Sequence, residues 1–480
     1  MSSHGIIKTG IAPTIRKDVL TVPGATPDSK ALVEHLLEQD REAQHCFYGP
    51  GFHNHRSHHL LAAYDLGASS AQLQAIYDAE QDSLLSVFAI RKEKRVERQD
   101  VVVQESNWKQ FLGEEKYYAN YLTFFADEVR RLGGFAAFEH YVYSPSAAHE
   151  DGGQMTERFV GGVLHPLIQM GYAVEFGSDA MVAQALAQTA VTSAFSPQLF
   201  AFEPKGTPNP TTLFGILEQM YASPIMKPVM PYDPDALIGK RFKDALTPER
   251  IAEIHRLASL WNCTPETLTP AAVEQKSQEL FFAATVIFAG TGRDGRAPRL
   301  DFFLMHLLTS ALFVPRLLAA LSSPAARARL LNSYLPVLLA VVLMRGRPRI
   351  NVPLLMSYPA APTPPSQRGK IFPPPPPAVW GRPGEPAYDN TWAVLLPHVL
   401  PARDSHTLKA FRALYHAAQR YATVPQGAFG GLGEGVDGSV FVRAAGVMVD
   451  VMGWVGLGEG QEAGHWDRSG LGWDAAWDEK

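Results

Sequence analysis

Apolar residues recur at spacings of three and four along most of this chain, and the stretches that carry this pattern predict helices. In "SHHLLAAYDLGA" (57–68), Ser57 takes the N-cap position, Leu60, Leu61 and Tyr64 follow at helical spacing, and Gly67 is a stop signal. The pattern returns in "WKQFLGEEKYYANYLTFFADEVRRLG" (108–133), "FVGGVLHPLIQMGYAVEFGSDAMVAQALAQTAV" (159–191) and "TPERIAEIHRLASLW" (247–261). It appears again in "SHTLKAFRALYHAAQRYA" (405–422), where Ser405 is the expected cap. Strict alternation, the mark of a half-buried strand, is hard to find outside "DVVVQ" (100–104). The expected fold class is all-α.

Between the helical stretches the composition changes. Residues 1–50 mix Gly, Pro and charge and read as an N-terminal arm, with 51–480 as one large multi-helix body. From Pro353 to Pro386 the chain is proline-rich, with five consecutive prolines at 373–377, which predicts an extended or polyproline II crossover between helices. The tail after Gly427 is rich in Gly and Trp and is expected to fold over the body.

Composition narrows the class further. With 480 residues, 46% apolar and 19% charged, the chain can bury a sizeable core. A formal charge of -5 gives no reason to expect nucleic acid. Cys46 and Cys263 are the two cysteines, too few for a disulfide framework or a multi-cysteine zinc site, and they fit a reducing, cytoplasmic setting. The N-terminus lacks a signal-like apolar core, and the longest uncharged runs, 302–315 and 330–344, fall short of the roughly 20 residues that span a bilayer. No membrane span is expected. No acidic residue lies between Asp301 and Glu385, whereas Arg316, Arg327, Arg329, Arg345, Arg347, Arg349, Arg368, Lys370 and Arg382 do. That stretch is either a basic surface or a mouth for an anionic ligand. Nothing marks a subunit interface.

Histidines carry the candidate chemistry. "GFHNHRSHHLL" places His53, His55, His58 and His59 within seven residues, and in a helix starting near His55 the rings at 55, 58 and 59 share a face. His165 and His306 each stand alone in an apolar helix, where a buried imidazole costs a few kcal/mol unless it finds a partner. His406 and Lys409 lie three apart in one helix and share a face. A lysine beside a divalent metal must be neutral or carry an added carboxylate; the plain alternative is an ammonium in water. "FAGTGRDG" has the GxGxxG spacing, but no acidic residue follows about 20 positions on, so it reads as a polar loop and not a dinucleotide site. Nucleophile-elbow, Walker, zinc-ribbon and HExxH patterns are absent.

"FHNHRSHHLLAAYDLGAS", "GGVLHPLIQMGYAVEFG", "DFFLMHLLTSALF" and "DSHTLKAFRALY", in this order, resemble the questin oxidase family of fungal polyketide pathways. The resemblance covers about residues 50–420. It implies an all-helical oxygenase that uses O2 to open the central ring of a hydroxyanthraquinone. It implies a non-heme Fe(II) site held by His55, His165, His306, His406 and a carboxylated Lys409, five ligands that leave one octahedral position for oxygen or water. No flavin is expected. His58 and His59 lie within a turn of His55 and compete with it for the first ligand position; with His55 and Lys409 they are the catalytic candidates. Phe302, Phe303, Tyr172 and Tyr64 are candidate substrate walls, each with core packing as its plain alternative. Two other readings stay open. One is a metal-free or NADPH-assisted Baeyer-Villiger oxygenase in which the same histidines are bases; the other is a non-catalytic helical carrier or scaffold.

Overall fold

The computed structural model describes all residues except 1–6, 49–51, 81–100, 148–152, 195, 203, 205, 228–230, 372, 379, 382–384, 386–388, 461–463 and 479–480. Its described elements are helices apart from one antiparallel pair, Phe47–Tyr48 with Phe52–His53, in which Phe47 faces His53 and Tyr48 faces Phe52. The all-α expectation holds. Asp100 lies outside the described residues, and 101–104 form no strand: Val102 is exposed, and the Val101 carbonyl accepts from the Asn120 side chain at 2.5 Å. A run of valines makes a strand only where a neighbouring edge supplies its ladder.

The chain divides into two units. The first comprises Met1–Glu203, Cys263–Thr269 and Phe313–Val337; the second comprises Pro204–Asn262, Pro270–Leu312 and Leu338–Lys480.

In the first unit, the stretch that reads as an arm contains the helix Pro27–Ala43. Thr26 Oγ1 accepts from the Ser29 amide at 3.1 Å while Ser29 Oγ accepts from the Thr26 amide at 2.8 Å, a reciprocal cap, and Pro27 suits the first turn. Ahead of it, Lys17, partly buried, bridges Asp65 (2.6 Å) and Glu175 (2.9 Å). It thereby fastens this segment to the ends of the helices Arg56–Asp65 and Gly161–Phe176. Tyr118–Leu132 buries Tyr121, Leu122, Phe125 and Val129 at helical spacing and ends at Gly133 (φ +86°). It packs on Asp179–Val191, whose alanines allow close approach, and that helix lies in turn on Gly161–Phe176. Where the latter meets Val314–Ala320, a β-carbon added to Gly171 would fall 2.1 Å from the Phe313 ring. Gly171→Ala is therefore expected to lower the unfolding free energy by about 1–3 kcal/mol, read as a lower urea midpoint; an unchanged midpoint would contradict this packing.

The second unit is built around Pro270–Ala289, which packs against Leu213–Ala222, Phe302–Ala311 and Val440–Met452. Buried Glu279 ties it together by accepting from Trp261 Nε1 at 2.9 Å and the Leu213 amide at 3.0 Å. The apolar run before "GTGRDG" belongs to this helix, so the glycines follow a helix end and not a strand. Within the proline-rich stretch, Val352–Ser357 is helical with Asn351 as cap, whereas prolines 373–376 have no helix and are largely exposed. Phe302–Ala320 and Pro324–Met344 are long and apolar enough to cross a membrane, but 78% and 83% of those windows are buried inside the protein. Their apolarity serves the core.

Several arginines of the acid-free stretch have internal partners. Arg345 pairs with Asp301, Arg368 with Asp450, and Arg327, Arg329 and Arg347 donate to the carbonyls of Leu321, Tyr143 and Met220. Arg382 lies outside the described residues.

Candidate functional site

In the first unit the histidine cluster is set by the residues before it. The helix begins at Arg56, one residue before the expected cap Ser57, with His55 in the cap position. Asn54 does the capping work: its Oδ1 accepts from the Arg56 amide at 2.9 Å and its Nδ2 donates to Asp40 at 3.0 Å. The fully buried Arg56 lies 3.5 Å from the same carboxylate and 4.2 Å over the Tyr77 ring. Ser57, inside the helix, instead donates to Gln169 Oε1 at 3.1 Å.

With the start of the helix fixed in this way, the three competing histidines separate. His58 Nε2 donates to Gln169 Oε1 at 2.7 Å, and its ring stacks on Tyr172 at 5.0 Å. His59 is buried and its amide closes the first turn onto the His55 carbonyl at 2.8 Å. His55 places Nε2 2.8 Å from Nε2 of His165. His53, at the end of the two-strand pair, stacks flat on His165, with centroids 3.9 Å apart and planes 4° from parallel.

His165 owes its orientation to an unusual turn. Gly162, Val163 and Leu164 have φ of +54°, +55° and +67°, a left-handed segment at the head of the Gly161–Phe176 helix. Glycine adopts this freely, but a β-branched valine there costs on the order of 1–3 kcal/mol. The reversal brings the Gly162 carbonyl to 2.5 Å from His165 Nδ1. A carbonyl can only accept, so the proton sits on Nδ1 and Nε2 carries the lone pair.

The second unit repeats the logic with different parts. Asp301 caps Phe302–Ala311, accepting from the Phe303 and Leu304 amides at 2.8 and 3.2 Å, while its other oxygen takes Arg345 Nε at 2.7 Å. Within that helix His306 Nδ1 donates to the Phe302 carbonyl at 2.8 Å. His406 opens the helix Ser405–Tyr421, whose cap is Asp404 and not Ser405: Asp404 Oδ2 accepts from the Thr407 amide at 2.9 Å. Asp404 Oδ1 takes His406 Nδ1 at 3.0 Å. A ligand nitrogen of His306 lies within 4.8 Å of one on His406, and the Phe302 ring meets both imidazoles edge-on, at 5.0 and 4.9 Å. Lys409 is 2% exposed, one turn along from His406.

The electrostatics favour a neutral His406. Burial first, then the charge of Lys409, pull its pKa down to about 4 against the opposing pull of Asp404. Burial would raise the Asp404 carboxyl, but hydrogen bonds from His406, Trp466 and Thr407 outweigh it and hold that group well below the usual carboxylate range. At neutral pH an ionised Asp404 therefore faces a neutral imidazole protonated on Nδ1.

His165, His306 and His406 thus share one pattern: Nδ1 is committed to an oxygen acceptor and Nε2 is left as a donor atom, the arrangement found in metal-ligating histidines. The 2.8 Å approach of His55 and His165 fits the same chemistry, since two nitrogens about 2.1 Å from one ion and at right angles stand about 3 Å apart. Of the candidate walls, Tyr172 and Phe302 touch imidazoles, Phe303 lies under the Arg345 guanidinium at 4.7 Å, and Tyr64 is buried. Gln169, Asp404 and the Gly162 carbonyl, which hydrogen-bond the rings, and Trp466, which hydrogen-bonds Asp404, do not follow from histidine spacing. Asp404 alone had a readable signal, an acidic residue ahead of a helix start.

A profile of the questin oxidase-like family matches residues 52–414. The chain is 28% identical over 291 residues to oxidoreductase AflY of Aspergillus parasiticus, covering 59% of this chain and 56% of AflY. It is 26% identical to questin oxidase of Aspergillus terreus, covering 68% and 71%, and 28% identical to Baeyer-Villiger oxidase mdpL of Emericella nidulans, covering 60% and 64%. The match thus spans a little over half of AflY and under two thirds of mdpL. The histidines at 53, 55, 58, 59, 165, 306 and 406 all fall inside residues 52–414, and the chain belongs to the questin oxidase-like family.

Proposed function

We propose that this chain is an oxygenase of the hydroxyanthraquinone ring-opening class, in which His55, His165, His306, His406 and Lys409 hold one iron. The observation that carries the proposal is the 2.8 Å contact between His55 Nε2 and His165 Nε2, made while the His165 proton is held at Nδ1 by the Gly162 carbonyl. Two lone pairs that close repel unless a proton or a cation lies between them. In this proposal the cation is the iron, which His306 and His406, with Nδ1 likewise committed, would also hold. Lys409, buried beside His406, would complete the set as a carbamate, formed by its neutral amine and carbon dioxide with loss of one proton.

Iron bound there would supply the one-electron chemistry that lets dioxygen react with a closed-shell aromatic substrate. The rest is done by the chain. In the neutral rings, Gly162, Phe302 and Asp404 hold the proton on Nδ1 and so turn the lone pair to Nε2. Gln169 keeps the His58 proton on Nε2, and Tyr172 fixes the plane of its ring.

A second reading has its own support in the names of relatives, several of which are Baeyer-Villiger oxidases. In that case His55 donates Nε2–H to His165, no metal is held, and the histidines act as bases toward the phenol, with or without NADPH. Metal analysis of protein purified without chelators, combined with oxygen uptake on a panel of hydroxyanthraquinones with and without NADPH, separates the two. The expected result is about one iron per chain, with uptake lost on chelation and restored by Fe(II). Full uptake by stripped protein would replace the iron reading with the second one. No uptake on any member of the panel would leave a carrier or scaffold.

A further inference from the structure

A stretch of chain beyond residue 414, outside the family match, touches Asp404 and Phe302, the residues that meet the second unit's histidines. Residues 464–469 form a strap. Gly464 donates to the Met452 carbonyl, and Asp467 exchanges backbone hydrogen bonds with both sides of Asp301: its amide donates to Leu300 and its carbonyl accepts from Phe302, each at 2.8 Å. Arg299 holds the Asp467 carboxylate through Nε at 2.8 Å. From this strap the Arg468 guanidinium sits 3.7 Å over the Phe302 ring, the same ring that meets His306 and His406 edge-on. The Trp466 indole donates Nε1–H to Asp404 Oδ2 at 2.6 Å.

We infer that Trp466 is a positioning residue for His406, acting through Asp404. An indole N–H can only donate, so it recognises Asp404 as an acceptor and cannot pair with it any other way. Oδ2 is held by Trp466 together with the Thr407 amide and hydroxyl, at 2.9 and 2.8 Å. With Oδ2 pinned, Oδ1 has one direction left, toward His406 Nδ1 at 3.0 Å. Asp404 is partly open to solvent, with a side chain 37% exposed, so water competes for it once the indole is gone. The carboxylate then turns away, the His406 proton is no longer confined to Nδ1, and Nε2 is a donor atom for only part of the time. Trp466 thereby brings the C-terminal tail into the histidine arrangement. The link from Trp466 to the His406 tautomer stands on geometry alone; only its effect on metal rests on the iron reading.

The test uses the full-length chain labelled with 15N-histidine, with zinc added as a diamagnetic probe and His406→Gln identifying the His406 signals. The unaltered chain is expected to show His406 as the Nδ1–H tautomer. In Trp466→Phe a mixture of tautomers should appear, with zinc affinity lowered about ten-fold and with unchanged His165 signals and thermal midpoint. Trp466→Gln, which loses the ring but keeps an N–H donor, should retain the Nδ1–H tautomer. An Nδ1–H tautomer kept intact in Trp466→Phe would overturn the inference, and so would equal loss in the Phe and Gln variants, which would reduce Trp466 to packing. If the unaltered chain binds no zinc, the metal reading fails while the tautomer comparison still decides the role of Trp466.

Discussion

Asp301→Ala is expected to lower the free energy of unfolding by about 3–5 kcal/mol, among the largest effects of any single change in this chain. The carboxylate has two roles at once. One oxygen caps the helix that carries His306, and losing that cap costs about 1 kcal/mol. The other takes Arg345 Nε at 2.7 Å in a pair whose side chains are both 0% exposed. A guanidinium does not give up its proton, so without Asp301 it remains a buried cation over the face of Phe303, with no carboxylate among the described residues paired to it. Asp301→Asn keeps an acceptor for the helix amides and should fall between the parent and the alanine variant. Denaturant titration measures both, and a loss below about 1 kcal/mol for alanine would show that water reaches Arg345.

His165→Ala and His306→Ala should each reduce iron retention and substrate-dependent oxygen uptake to background while the helical circular dichroism persists. Each removes one of the five ligand atoms of the proposed site, four imidazole nitrogens and one carbamate oxygen. His165→Ala also deletes the group that the left-handed turn at Gly162 to Leu164 exists to orient, and His306→Ala leaves the Phe302 carbonyl with its ordinary helical role. Neither ring anchors a helix start, so the cost in stability should stay within the usual 1–3 kcal/mol of a buried truncation. Stoichiometric iron retained in both variants would exclude these residues as ligands. Loss in one alone would mark the other as a packing residue.

The helical class was legible because three- and four-residue spacing recurs so regularly that local pattern and final packing agree, as in Tyr118–Leu132. Helix starts were less legible. At both histidine-bearing starts a serine stands beside a stronger polar residue, and the chain uses Asn54 and Asp404 where Ser57 and Ser405 look sufficient. An amide or carboxylate reaches the free amides of a first turn as well as a hydroxyl does, so cap preference cannot choose between candidates one to three residues apart. The helix within 1–50 was hidden because Lys17 and Asp65, which hold that region in place, are 48 residues apart. Long-range pairing decides which His is turned toward which, and for that reason His55 and His58 separate only through Gln169 and His165, more than 100 positions on.

The division of the chain has a consequence for how it is made. The first unit draws on residues as late as Val337, and the second begins at Pro204 and takes back Leu338–Lys480. A ribosome delivering the chain from its N-terminus therefore cannot complete the first body before most of the polypeptide has emerged. Until then the face of Gly161–Phe176 that Val314–Ala320 covers in the finished protein lacks its partner. Synthesis should pass through a long-lived, sticky intermediate, and yield in a foreign host should respond to lower temperature and to added chaperones more than to codon choice in the final third.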